Sequence, residues 1–174
     1  MYQTVLKDVI EKFRENSENA RAVILLPSSK HRTALVAHLL SSGEYTPLYF
    51  ALTPESGDLE VFIDAMLRSF AEQHDEIGRF ASIAHAHFHK GAGAFREAAI
   101  DGLVRDFQGL AGQRVLVIFD NFDYAENSEE VQRFVEELIV KLPDNCLAVI
   151  NGRSQPRFPW NSLIAQTRAI ILDD

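Results

Sequence analysis

Apolar positions along the chain follow two rhythms that alternate. Val5, Leu6, Val9, Ile10 and Phe13 recur at three- and four-residue spacing, which predicts an amphipathic helix over residues 3–16. After the polar break "NSENAR" comes "AVILL" (22–26), apolar at every position. A run of that kind predicts a strand covered on both faces. Residues 33–40 return to helical spacing and end at "SSG". "TPLYFAL" (46–52) predicts a second strand. "TPESGD" predicts a turn whose Asp58 caps a helix with Leu59, Phe62, Ile63, Met66, Leu67 and Phe70 on its apolar face. Residues 77–107 have helical character, broken near "KGAGA".

"RVLVIFD" (114–120) is the most apolar of the predicted strands. "NSEEVQRFVEELIVKL" predicts a helix capped by Ser128, with Val131, Phe134, Val135 and Leu138 turned to the core and its acids to solvent. "CLAVING" (146–152) and "AIIL" (169–172) complete five strands. Buried strands alternating with helices predict an α/β fold, a parallel sheet with helices on both faces. No repeat, low-complexity tract or linker interrupts the pattern, so one domain is expected over residues 1–174.

Composition narrows the function classes. Asp and Glu number 25 against 17 Lys and Arg, a net charge of −8 that disfavours direct contact with nucleic acid, whose phosphates need clustered cations. The lone Cys146 cannot form an internal disulfide, which fits a reducing compartment. No signal peptide or membrane-length apolar run is present, so a cytoplasmic location is expected.

Ligands of such sheets bind beyond the carboxyl ends of the strands. Here those ends are "PSSKHRT", "TPESG", "DNFD" and "GRSQP". The third strand places Asp120 at its tip in the form of a Walker B acid, able to hold Mg²⁺ directly or through water. Many ATPases follow that acid with a second carboxylate that orients the attacking water. Here Asn121 follows, an amide that cannot act as a base, and Asp123 lies nearby. An apolar run ending in Asp is common in itself, and a turn cap is the plain alternative.

The first strand leads into "LLPSSKHRTAL". Against G-x-x-x-x-G-K-[ST], Thr33 takes the final hydroxyl position, Arg32 the lysine, and His31 and Leu26 the two glycines. Glycine serves such loops because their backbone angles cost other residues about 1–3 kcal/mol and phosphate approaches closely. Arginine keeps the charge, but its longer planar fork need not reach the same oxygens as lysine. A helix start carrying Arg32 and Thr33 remains able to meet an anion. An ordinary strand-to-helix loop is the alternative. The fourth strand ends in a polar residue and Arg153, which would stand beside a nucleotide. In "HAHFHK", His85 and His89 would share a helical face, but no nearby Cys or carboxylate completes a metal set, and an exposed helix end with several histidines is the better reading.

Taken in order, these segments resemble the nucleotide-binding domain of signal-transduction ATPases of the STAND class, specifically those of MalT-like and LuxR-type bacterial transcriptional regulators. Pro27, Thr33 and Leu35 match a loop of the form A-P-A-G-Y-G-K-T-T-L. "VLVIFDNFDYA" is similar to a strand of the form L-V-L-D-D-L-H. Arg153, Pro156, Pro159 and Leu163 keep the spacing of T-S-R-x-x-P-P-L-P-L-x-x-L.

The resemblance implies a three-layer P-loop NTPase-like fold, of STAND/AAA type, with strand order 2-3-4-1-5. It also implies ATP or ADP with Mg²⁺, held by Ser29, Lys30, His31, Arg32, Thr33, Asp120 and Arg153. Thr33 and Asp120 would be the metal ligands and Asp120 the catalytic acid. Implied partners are the other domains of a larger regulator, or a second copy. The missing glycines and Asn121 predict impaired hydrolysis and a regulatory or scaffolding role. A weak ATP/ADP switch and a nucleotide-free protein-interaction module stay open as alternatives, the latter with no cofactor at all.

Overall fold

The fold is seen in a computed structural model that describes residues 2–25, 31–156, 160–166 and 168–172, with side chains at all of these except 2–4, 83, 85, 88 and 160. Among the described residues, five strands form one sheet: β1 (Ala22–Leu25), β2 (Thr46–Ala51), β3 (Val115–Asp120), β4 (Cys146–Asn151) and β5 (Ala169–Leu172). Their order is β2-β3-β4-β1-β5, and every pairing is parallel. The α/β class and the expected order are both observed.

Burial follows the apolar runs. β1 and β4 are buried at every position, and β3 at all but Asp120. The edge strands β2 and β5 are buried only in part. Side chains alternate between two cores, as strand geometry requires. Val115, Val117 and Phe119 enter the larger core with α3 (Leu59–Gln73), α4 (Ala92–Gln108), α5 (Glu129–Lys141) and α6 (Trp160–Ala165). Leu116 and Ile118 enter the smaller one with α1 (Tyr2–Ser17) and α2 (Arg32–Ser41). The result is three layers.

The helix starts form as their sequences require. The Asp58 carboxylate accepts from the Glu60 and Val61 N–H groups at 3.0 Å each. The Ser128 hydroxyl accepts from Val131 N–H at 3.4 Å.

The largest departure lies in residues 77–107. The stretch Ala81–Lys90 is a 3-10 helix, and only after Gly91, at φ +105°, does the α-helix begin. Asp106 holds the start of this segment. Its buried carboxylate accepts from the N–H groups of Gly78, Phe80 and Ala81 and pins that segment across α4. With three residues per turn, His85 and His89 no longer repeat on one face. The side chain of His85 lies outside the described residues. Helix α6 was not marked by any apolar period. Among the described residues no helix is long and apolar enough to cross a membrane.

Candidate functional site

At the carboxyl end of the sheet, a cavity of about 270 Å³ opens between α2 and the tips of β3 and β4. Its lining includes Arg32, Thr33, Asp120, Asn151 and Arg153. The fold therefore brings together Arg32, Thr33, Asp120 and Arg153 from segments far apart in sequence. His31 is the residue preceding α2. Ser29 and Lys30, with Leu26 and Pro27, lie outside the described residues, as does Pro159.

Asp120 ends β3 because the next residue cannot continue it. Asn121 is left-handed at φ 54°, a conformation asparagine tolerates better than most side chains. The turn folds its N–H back onto Asp120 Oδ1 at 2.8 Å. The same oxygen accepts from Asn151 Nδ2 at 2.7 Å. The other oxygen, Oδ2, accepts from the Tyr49 hydroxyl at 2.6 Å. A carboxylate offers about four lone-pair positions, and the protein's own donors take three. Burial, then the hydrogen bond to Asp120, then its negative charge, push the Tyr49 hydroxyl up to about 12. It therefore stays a donor throughout the neutral range.

Two further ties close the rim. Arg32 Nη1 donates to the Gly152 carbonyl, which joins the start of α2 to the end of β4. The Arg153 N–H donates to Asp123 Oδ1 at 3.0 Å, which joins the loops after β4 and β3. Gly152 packs closely on the β3 loop. A Cβ there would stand 3.2 Å from the Asp123 nitrogen. Asn151 is buried, and its Oδ1 has no hydrogen-bond partner among the described residues. The amide faces Asp120 with its NH₂ because an ionised carboxylate repels an oxygen.

Mg²⁺ demands near-octahedral oxygen ligands at about 2.0–2.1 Å. The protein's own donors leave Asp120 one lone-pair position, on Oδ2, so direct coordination there is crowded. Neither oxygen of Asp120 is free of a protein donor, and the neighbouring position holds Asn121. Among the described residues no group of three or more His, Cys, Asp or Glu side chains is arranged to hold a metal.

The polar residue at the tip of the fourth strand is thus Asn151, the residue level with Asp120 across the β3–β4 pairing, one beyond Phe119↔Ile150. Tyr49 carried no signal in the sequence. It stands in an apolar strand and reads there as a core residue.

No family model matches the chain, and no curated protein matches it by sequence. Solved structures do. A chain in the structure of Drosophila ORC bound to AT-rich DNA and Cdc6 superposes with TM-score 0.53 and 13% identity, over 98% of this chain and 57% of that one. A chain in the corresponding structure on GC-rich DNA gives TM-score 0.52 and 15% identity, again over 98% and 57%. The fold is P-loop NTPase-like. This P-loop-like chain spans less than two thirds of the length of those two chains. At such identities the likeness concerns architecture, and function has to be argued from the site.

Proposed function

We propose that this chain is a non-hydrolysing P-loop-like domain that serves as a regulatory or scaffolding unit of a larger signal-responsive assembly. One observation carries the reading. Both oxygens of the strand-tip acid Asp120 are held by the protein's own donors, and Asn121 stands where a water-orienting carboxylate would. Charge stabilisation and water positioning are the two largest contributions to phosphoryl transfer, and this site supplies neither through those residues. The segment resemblances at "LPSSKHRTAL", "VLVIFDNFDYA" and "NGRSQPRFPWNSL" support placement in a MalT-like or LuxR-type transcriptional regulator. Its neighbouring domains, or a second copy, would then be the partners.

A second reading is nucleotide binding without turnover. It is favoured by the cavity itself, which gathers Arg32, Arg153, Thr33 and two amides at a helix start, alongside Asp120 and Asp123.

Phosphate release from ATP and calorimetric titration with ATP and ADP, each with and without Mg²⁺, test both. The expected result is no turnover above the blank, in the wild type and in Asp120→Ala alike. Mg²⁺-dependent turnover that Asp120→Ala abolishes would overturn the proposal. Nucleotide at a hundred times Kd would stabilise the chain by about 2.7 kcal/mol. A shift of that kind, lost in Arg32→Ala, establishes the binding reading. No shift at millimolar nucleotide leaves the scaffold alone.

A further inference from the structure

We propose that Tyr49 competes with a divalent cation at Asp120, so that the strand-tip acid of this chain is a hydrogen-bonded hub that binds metal poorly. The inference deepens the site reading above, and rests on it for the role of Asp120 as the acid at the tip of β3.

Geometry carries the inference. The Tyr49 hydroxyl lies 2.6 Å from Asp120 Oδ2, the one carboxylate oxygen not already tied to Asn121 and Asn151. A cation bound to that oxygen at about 2 Å would need a lone-pair direction of the kind the hydroxyl proton fills. The Tyr49 bond takes one of the two lone-pair positions on Oδ2, so a cation has to compete with the hydroxyl or crowd in beside it.

Tyr49 is also held from behind. Its N–H donates to Gln73 Oε1 at 2.7 Å, and its carbonyl accepts from Gln73 Nε2 at 2.7 Å and from Ser69 Oγ at 2.9 Å. These bonds come from α3 and grip the free edge of β2. The ring itself packs against the smaller core. The hydroxyl cannot swing away without disturbing either the edge or that packing. Tyr49, Asp120 and Asn151 thus bridge β2, β3 and β4, with the Tyr49 side chain reaching two residues along from its own pairing with Ile118. The carboxylate charge is met by one hydroxyl, one amide and one backbone N–H, a set that satisfies it without a metal.

The test uses Mn²⁺ alone, with no nucleotide. Free Mn²⁺ is followed by electron paramagnetic resonance while it is titrated into the wild type, Asp120→Asn, Tyr49→Phe and the double variant. Comparison with Asp120→Asn subtracts weak binding to the many surface acids. Wild type and Asp120→Asn are expected to bind alike. Tyr49→Phe is expected to gain a site roughly tenfold tighter, about 1.4 kcal/mol or one net hydrogen bond. The double variant is expected to lose that gain. A wild type that binds as tightly as Tyr49→Phe, or a gain that survives Asp120→Asn, overturns the inference.

If Tyr49→Phe does not fold, proton NMR of the wild type decides. The bonded tyrosine hydroxyl resonance should be unmoved by millimolar Mg²⁺, and its loss on Mg²⁺ addition would show that the cation displaces it. ATP turnover by the wild type would sink the non-hydrolysing reading and leave the Mn²⁺ comparison to be judged separately.

Discussion

Cys146 shows how far one buried group is governed by its surroundings. It begins β4, next to Val115 of β3 across the ladder. Burial pushes its thiol from 9.0 up to about 12, against a smaller opposing effect of Arg21. The folded value lies above the unfolded one, so the contribution is fully present below pH 9 and is lost as pH rises towards 12. Tyr49 shifts in the same sense, from 10.0 to about 12. The melting temperature is therefore expected to fall across this alkaline window, and the fall should be shallower in Cys146→Ala. Equal slopes in the two proteins would show that the thiol plays no part. The larger core is anchored by rings. Phe62 meets Phe50 edge-on at 5.5 Å, Phe134 edge-on at 5.7 Å, and Phe119 in a stacked arrangement at 6.1 Å. These were legible as apolar positions, but which ring meets which was not.

At the scale of elements, the docking of the 3-10 helix on α4 depends on a missing side chain. A Cβ on Gly102 would lie 2.5 Å from the Ala81 Cα, closer than real Cβ atoms come to backbone. Gly102→Ala gains about 1 kcal/mol of helix propensity, yet forcing the two backbones apart costs about 1–3 kcal/mol. Net destabilisation is expected in a urea titration, together with faster amide exchange at Gly78, Phe80 and Ala81, whose N–H groups Asp106 holds. A stabilised variant would mean that the segment does not rest there. Edge protection belongs to the same scale. Pro47 has no N–H to present, and the Gln73 side chain covers both polar groups of Tyr49. The sequence marked β2 as a strand, but its position at an edge follows only from the strand order.

Across the whole molecule, the cavity rim is a set of ties between elements distant in sequence: Tyr49 to Asp120, Asn151 to Asp120, Arg32 to Gly152, and Arg153 to Asp123. Arg32 thereby joins α2 to β4. A charged donor on a part-buried carbonyl contributes about 1.5–3 kcal/mol, whereas an arginine merely waiting in solvent contributes within about 0.5 kcal/mol. Arg32→Ala is expected to lower the stability of the ligand-free chain by an amount in the first range, read as a shift of the urea midpoint at constant slope. No shift would mean that the tie carries no weight.

The sequence alone determined the five strands, most of the helices, the α/β class and the placing of Asp120, Arg32 and Arg153 at strand or helix ends. These follow from local periodicity and from turn and cap chemistry, which act over a few residues. Resemblance supplied the strand order that the sheet shows. Only the tertiary structure showed that Ala81–Lys90 is a 3-10 helix, its start held by Asp106 of α4, and that Tyr49 and Asn151 close on Asp120. Hydrogen bonds between residues 71 and 31 positions apart depend on sheet register, and no local pattern encodes which polar atoms a register brings face to face.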